Sequence, residues 1–210
     1  MKTADAERLR EAMRRAADAV IAAEPLLTRA DSLIGDGDHG LGMKRGFTAL
    51  KEEIGARRYE TPYELFHACG VTLVQSMGGA SGVLFGTLFI GGLPEIAGRQ
   101  TMDGNALRAF LAGGTGAVMK RGKAAPGDKT MADALLAALK EAGGLPADAG
   151  VDEVMRAAAE GARRGAEQTR EMLPRLGRAR GFRERAVGVL DPGALSVSVL
   201  LGGLAAGLKD

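Results

Sequence analysis

The chain has 210 residues, 46% of them hydrophobic and 26% charged, with a formal net charge of +2. That size and balance suit one folded unit with a sizeable core, and argue against a disordered chain, a nucleic-acid coat or a polybasic membrane patch. One cysteine forbids an internal disulfide and a thiolate zinc site, two histidines are too few for a multi-histidine metal centre, and 4% aromatics without Trp argue against stacking platforms for nucleic acid.

The opening MKTADAERLREAMRRAAD is charged throughout and lacks the apolar core of a secretory leader, so a cytoplasmic location is expected. Leu9, Met13, Ala16 and Val20 keep the spacing of a helix stripe. Residues 31–40 read as a polar, Gly-rich loop. Met43, Phe47, Leu50 and Ile54 mark a second helix. A third, with Phe66, Cys69, Leu73 and Met77, opens at Thr61-Pro62-Tyr63-Glu64, an N-cap Thr with Pro at N1 and Glu at N3. A second Gly-rich loop follows at 77–82, then an all-round apolar helix over Val83–Ala97 that Pro94 should kink or end.

From Leu65 to Pro94 no residue is charged, long enough to suggest a membrane span. Gln75, Ser76, Gly78, Gly79 and Ser81 interrupt it, which predicts two buried helices joined by a turn and no membrane. Leu107, Leu111 and Val118 give a fifth helix. A basic loop at 121–130 leads into Thr130-Met131-Ala132-Asp133, a capping-box pattern that opens Ala134–Ala142. GGLPADAG at 143–150 reads as a turn, and Asp152 is expected to cap a long helix carrying Met155, Ala159, Ala162, Ala166 and Thr169. A long Arg-rich loop, 173–191, precedes Asp191-Pro192, N-cap and N1 of a last helix over Ala194–Leu208. The total is about eight helices, and no segment shows sustained strand alternation.

The chemistry concentrates in the loops. Asp31, Asp36 and Asp38 fall within eight residues, and Gly35, Gly37 and Gly40 let that segment fold its carboxylates toward one point. Such acids repel unless a cation lies between them. Oxygen-only ligands suit Mg²⁺ or Ca²⁺, the spacing is not that of an EF-hand, and Mg²⁺ commonly completes its shell with substrate phosphates. The competing reading, a set of Asx turns and caps, does not require three acids together. Gly78-Gly79-Ala80-Ser81-Gly82 precedes a helix and could present backbone N–H groups to an anion, while Gly78, Gly82 and Gly86 equally form a small-residue packing ridge. The basic loop could steady a transferring phosphoryl group or could simply be solvated. From 156 to 185 nine Arg face four Glu, most of them expected on a solvated face. His67 and Cys69 read as core or edge residues. Gly35-x-Gly37-x-x-Gly40 matches a dinucleotide fingerprint literally but has no preceding strand, no GxxxxGK[ST] is present, and GASG lacks the last Gly of GxSxG.

Taken together, DSLIGDGDHGLGM at 31–43, GGASGVLFGTLF at 78–89, RGKAAPGDKTM at 121–131, GRA at 177–179 and DPGA at 191–194 resemble the L subunit of bacterial dihydroxyacetone kinase, in order and spacing across nearly the whole chain. The resemblance implies one all-α domain over 1–210, a barrel of eight antiparallel amphipathic helices with nucleotide bound among the loops at one end. It implies that Asp31, Asp36 and Asp38 hold two Mg²⁺ ions on the phosphates of ADP or ATP. His39, Gly40, Leu41, Gly79, Ala80, Ser81, Gly122, Met131, Arg178, Asp191, Pro192 and Gly193 would line the nucleotide, with Thr130 beside them. It further implies phosphoryl transfer to dihydroxyacetone held on a separate K subunit, with ADP recharged in place by a phosphohistidine carrier subunit. Gly42, where relatives often carry Asn, and Arg180–Arg185 depart from the family pattern.

Rival readings keep the same residues. One is a subunit using free ATP, on dihydroxyacetone or a related keto-sugar. Another is a fatty-acid-kinase type, disfavoured because Asp36-Gly37-Asp38-His39-Gly40 is not the DGDTG expected there. A third, of a different class, is a nucleotide-bound regulator that docks a transcription factor.

Overall fold

Amphipathic helices must hide their apolar stripes against one another, and a closed ring lets each do so with two neighbours. The computed structural model describes residues 1–209. In chain order its elements are β1 (Thr3–Asp5), α1 (Ala6–Ala22), α2 (Glu24–Ile34), α3 (His39–Ala56), α4 (Pro62–Met77), α5 (Gly79–Gly92), β2 (Thr101–Asp103), α6 (Gly104–Gly122), α7 (Met131–Gly143), α8 (Val151–Gln168) and α9 (Pro192–Leu208). Short 3₁₀ segments lie at Leu93–Ile96, Thr169–Glu171 and Arg178–Ala186.

Helix α1 packs on α3, each helix from α3 to α8 packs on the next, and α9 closes back on α1. These eight ring members are the eight helices that periodicity predicts. Their buried faces form one core, from Met13 and Phe47 through Phe85 and Leu135 to Leu200. Helix α2 stands outside the ring order, packed on α3 and α9.

Neighbours joined by short connections run antiparallel, so successive connections alternate between two ends. Residues 35–38, Gly78, 123–130 and 169–191 gather at one end. The N-terminal ribbon, 57–61, 93–103, 144–150 and the C-terminal end of α9 gather at the other. Side chains tie each end to itself. At the far end Arg108 donates to the carbonyls of Ala142 and Pro146, and Lys2 to that of Asp148. At the near end Arg175 N–H donates to the Asp128 carbonyl.

Several elements differ from the sequence expectation. Asp31 lies in the last turn of α2 rather than in a loop, because Leu27, Ala30, Asp31 and Ile34 share one buried face. The 77–82 segment is not a loop either: Gly78, with φ of 72°, is the whole turn, and α5 begins at Gly79. Likewise α6 runs to Gly122, which shortens the basic loop. Asp152 does not cap α8; Gly150 occupies that place and its N–H donates to Glu153, 2.7 Å away. A two-stranded antiparallel ribbon, β1 with β2, appears where no strand is expected.

Other expectations hold. Thr61, Thr130 and Asp191 cap α4, α7 and α9 with their side chains, and α5 stops before Pro94. The stretch Gly79–Ile96 is long and apolar enough to cross a membrane by length and composition. Here it is wedged between α4 and α6, with Phe85, Leu88 and Phe89 buried. A Cβ on Gly86 would meet Val74 Cγ2 at 2.3 Å, so the small-residue ridge does bring α5 onto α4.

Candidate functional site

The near end is built from four helix starts and the connections that feed them. At the α2–α3 junction, Asp31, Asp36 and Asp38 each offer a carboxylate oxygen, and the three lie within 4.8 Å of one another. Asp31 is buried, and its Oδ2 accepts from the His39 N–H at 3.2 Å. Gly35 is required here: a Cβ would stand 2.1 Å from Asp31 Oδ1. Gly37, with φ of 78°, turns the chain so that Asp36 and Asp38 come back to the same point. Asp38 precedes α3 but makes no side-chain cap bond, so its carboxylate is not spent on the helix. An all-oxygen donor set this compact fits a hard divalent cation such as Mg²⁺ or Ca²⁺. The cap-and-turn alternative would have engaged these side chains with backbone amides, and only Asp31 is so engaged.

Arg178 enters from the 3₁₀ segment Arg178–Ala186 and pairs with Asp36, with Asp38 at 3.7 Å. That segment is seated by a small apolar cluster of Ile34, Ala179 and Ala186, with Phe182 and Val189 against it. The long connection is thus ordered against α2, and of the departing residues Arg180–Arg185 only Phe182 turns inward to that cluster while the others are exposed.

His39 forms a second centre. Its Nδ1 lies 3.1 Å from Ser81 Oγ on the first turn of α5, and its Nε2 lies 2.7 Å from Ser196 Oγ on α9. Burial pushes the imidazole below its ordinary range, against the pull of Asp31, so it is neutral at pH 7. Ser196 carries no family motif and the sequence reading passes over it. A lone Ser in an apolar helix is usually satisfied by the carbonyl four residues back, and that bond, to Pro192, is present at 2.9 Å.

The third centre joins the 123–131 loop to the start of α9. Asp133 accepts from Gly127 N–H at 2.6 Å and Thr130 N–H at 2.8 Å, which holds the loop in place. A Cβ on Gly193 would lie 3.3 Å from Met131 Cβ, so the two family segments touch. Asp191 accepts from Ala194 N–H at 2.7 Å; burial pushes its carboxyl up to about 7, against that bond and the nearby Lys129 charge. Lys129 corrects the reading of the basic loop. It is neither solvated nor free for phosphate: it is 1% exposed and donates to the carbonyls of Thr169 and Val189, the latter at 2.7 Å. Only Lys129 of that loop is buried this way; Lys123 is exposed.

The remaining candidates line the rim. Gly40 is buried against Thr28, while Leu41 is exposed on the first turn of α3. Gly79 and Ala80 are exposed on the first turn of α5, and Gly122 ends α6 with Leu84 of α5 beside it. Pro192 opens α9. At Gly42 a Cβ would meet only the Met77 carbonyl, at 3.9 Å, so the missing side chain has space. His67 is exposed and stacks on Tyr63, and Cys69 is buried, its thiol pushed up by burial.

With this geometry in place, residues 33–206 match the family model of the DAK2 domain. The chain belongs to that family. It is 38% identical over 187 residues to the ADP-binding subunit of the PEP-dependent dihydroxyacetone kinase of Escherichia coli, covering 88% of each chain. It is 36% identical over 186 residues to the D-erythrulose kinase of Mycolicibacterium smegmatis, covering 87% of this chain and 32% of that enzyme. Among solved structures, the dihydroxyacetone kinase of C. freundii in complex with AMP-PNP and Mg²⁺ superposes with a TM-score of 0.73 at 25% identity. That match covers 98% of this chain and spans about a third, 34%, of the larger one. The largely helical fold is therefore shared with the C. freundii dihydroxyacetone kinase, and the E. coli relative, covered over 88% of its length, is an ADP-binding subunit of such a kinase.

Proposed function

We propose that the chain, as one domain over 1–210, is the nucleotide-binding subunit of a dihydroxyacetone kinase. It passes a phosphoryl group from Mg²⁺-bound ATP to dihydroxyacetone on a separate K-type subunit, and a phosphohistidine carrier subunit recharges the ADP in place. The observation that carries this reading is the convergence of Asp31, Asp36 and Asp38 on the rim formed by the starts of α3, α5 and α9.

In this reading Asp31, Asp36 and Asp38 hold two Mg²⁺ ions. When bound, such ions neutralise phosphate charge and align the γ-phosphoryl group, which is most of the catalysis in this chemistry. The protein's own part is placement. The N-terminal amides of α5, at Gly79, Ala80 and Ser81, and of α9, at Gly193, face an anion with the positive ends of two helices. Arg178 supplies a guanidinium beside the carboxylates. Gly122, Thr130 and Met131, with His39, Gly40 and Leu41, complete the lining of the nucleotide in this reading.

Calorimetric titration of ADP with and without Mg²⁺ tests the site. Asp36→Ala should fold normally and lose Mg²⁺-dependent ADP binding by about a hundredfold or more, since losing even a group that only orients a metal ligand costs about 10–100-fold. Unchanged affinity in that variant would reject the assignment. The likeness to the D-erythrulose kinase favours a second reading, a free-ATP kinase acting on a related keto-sugar. Supplying a K-type partner with either ATP or the phosphohistidine carrier separates the two: turnover with ATP alone rules out the recharged-ADP form.

A further inference from the structure

Ser196 sits on the second turn of α9, fully buried, outside every motif that marks the site. Its hydroxyl has one proton and two neighbours, the Pro192 carbonyl at 2.9 Å and His39 Nε2 at 2.7 Å. The hydroxyl donates to the Pro192 carbonyl, the back-bond usual for a helical Ser. Ser196 Oγ must then accept from His39, which places the imidazole proton on Nε2. Nδ1 is left with a lone pair, and the group 3.1 Å away that can fill it is the Ser81 hydroxyl. With that assignment the order of donation runs along the whole path: Ser81 Oγ–H to Nδ1, Nε2–H to Ser196, Ser196 Oγ–H to the Pro192 carbonyl.

We propose that Ser196 is a positioning residue for the nucleotide site. It locks His39 in the Nε2–H tautomer, and the ring thereby holds three helix starts in register. Those starts are α3 through His39 itself, α5 through Ser81, and α9 through Pro192, the residue that opens it. The His39 backbone is tied to the same frame, since its N–H donates to Asp31. Without the Ser196 acceptor the ring keeps only the Pro192 carbonyl as a partner on α9, and its hold on the Nε2–H form weakens. In the Nδ1–H form Ser81 must turn its proton elsewhere, and the pin between α3 and the Gly79–Ser81 turn becomes a bond of variable direction. No step here calls for Ser196 to touch nucleotide. The effect on binding rests on the nucleotide reading given above, whereas the tautomer does not.

Two measurements on Ser196→Ala and the unaltered protein test this. The first is the ¹⁵N spectrum of the His39 ring in nucleotide-free protein at neutral pH. A single Nε2–H tautomer, with Nδ1 resonating as an unprotonated nitrogen, is expected in the unaltered chain, and a tautomer mixture in Ser196→Ala. The second is Mg²⁺-ADP affinity, expected to fall about three- to tenfold in Ser196→Ala, the worth of one buried hydrogen bond, and to be restored in part by Ser196→Thr, which returns the hydroxyl. A melting temperature within a degree or two of the unaltered protein checks that Ser196→Ala still folds. An Nδ1–H ring in the unaltered protein, or tight ADP binding left unchanged by Ser196→Ala, overturns the proposal. If the unaltered protein binds no ADP at all, the nucleotide reading fails instead, and the tautomer spectrum still decides whether Ser196 orients the ring.

Discussion

The two ends of the ring are closed by the same helices but in different ways. At the far end the chain satisfies itself with routine devices: the ribbon pairs Thr3 with Asp103 and Asp5 with Thr101, Asp5 and Asp103 cap the helices that follow, and Ala4 and Met102 are buried. The near end spends conformational freedom instead. Of the ten described residues with positive φ, nine lie there, including the non-glycines Lys123, Lys129 and Arg183, and only Gly98 lies at the far end. Three carboxylates are gathered there, with Lys129 and Asp191 buried behind them. Strain and buried charge persist only where surrounding structure enforces them, and they mark places shaped for a task other than stability. The contrast makes a general expectation: changes at the near end should alter binding and pH response, and changes at the far end should alter stability alone.

The largest effect expected is from Asp191. Its folded pKa is raised to about 7 by burial, from an ordinary value of 3.8. A raised acid holds its proton longer in the folded state than in the unfolded one. The stability this gives is complete below about pH 4 and is lost as pH rises through about 7, amounting to as much as about 4 kcal/mol. Asp191→Asn keeps an oxygen for Ala194 N–H and removes the titration. Urea unfolding of the nucleotide-free protein across that range should show a flatter profile for the variant; two parallel profiles would mean that Asp191 is not desolvated as described. Next in size is Lys129→Met. It leaves the Thr169 and Val189 carbonyls without the ammonium they share, at a cost of about 3 kcal/mol. Because Lys129 ties down the connection that carries Arg178 and Asp191, ADP affinity should fall with it. A loss of stability without a loss of affinity would separate the near end into a scaffold and a site that do not depend on one another.

The legible and illegible parts divide along a physical line. The ring helices are readable because each buries a stripe of apolar residues at helical spacing, and the caps at Thr61, Thr130 and Asp191 are local chemistry. Helix α2 hides because its buried stripe runs Leu27, Ala30, Asp31, Ile34: a carboxylate occupies a core position for the sake of the site, and the stripe no longer looks apolar. The ribbon hides because three-residue strands 98 positions apart carry no local signal. Lys129 looks solvated for the same reason that Ser196 looks idle, since the partners of both lie on segments distant in sequence. The acidic cluster was legible because its members are neighbours in the chain and their mutual repulsion is unusual enough to require an explanation.

The smallest expected effect is at the far end, and it tests the contrast most directly. Asp5 Oδ1 accepts from Arg8 N–H at 2.8 Å and caps α1, immediately after the strand that pairs with β2. Asp5→Ala removes one side-chain cap and nothing else that the near end uses, so it should cost about 1 kcal/mol of unfolding free energy. Mg²⁺-ADP affinity, measured by calorimetry at a temperature where both proteins are folded, should stay within twofold of the unaltered chain. The ring's rigidity is what makes this a sharp test. Helix α1 runs the full length of the barrel and packs on α9, whose other end carries Asp191 and Ser196. If loosening the first turn of α1 weakens nucleotide binding severalfold, the helices transmit disturbance from one end to the other, and the two ends cannot be treated as separate structures serving separate purposes.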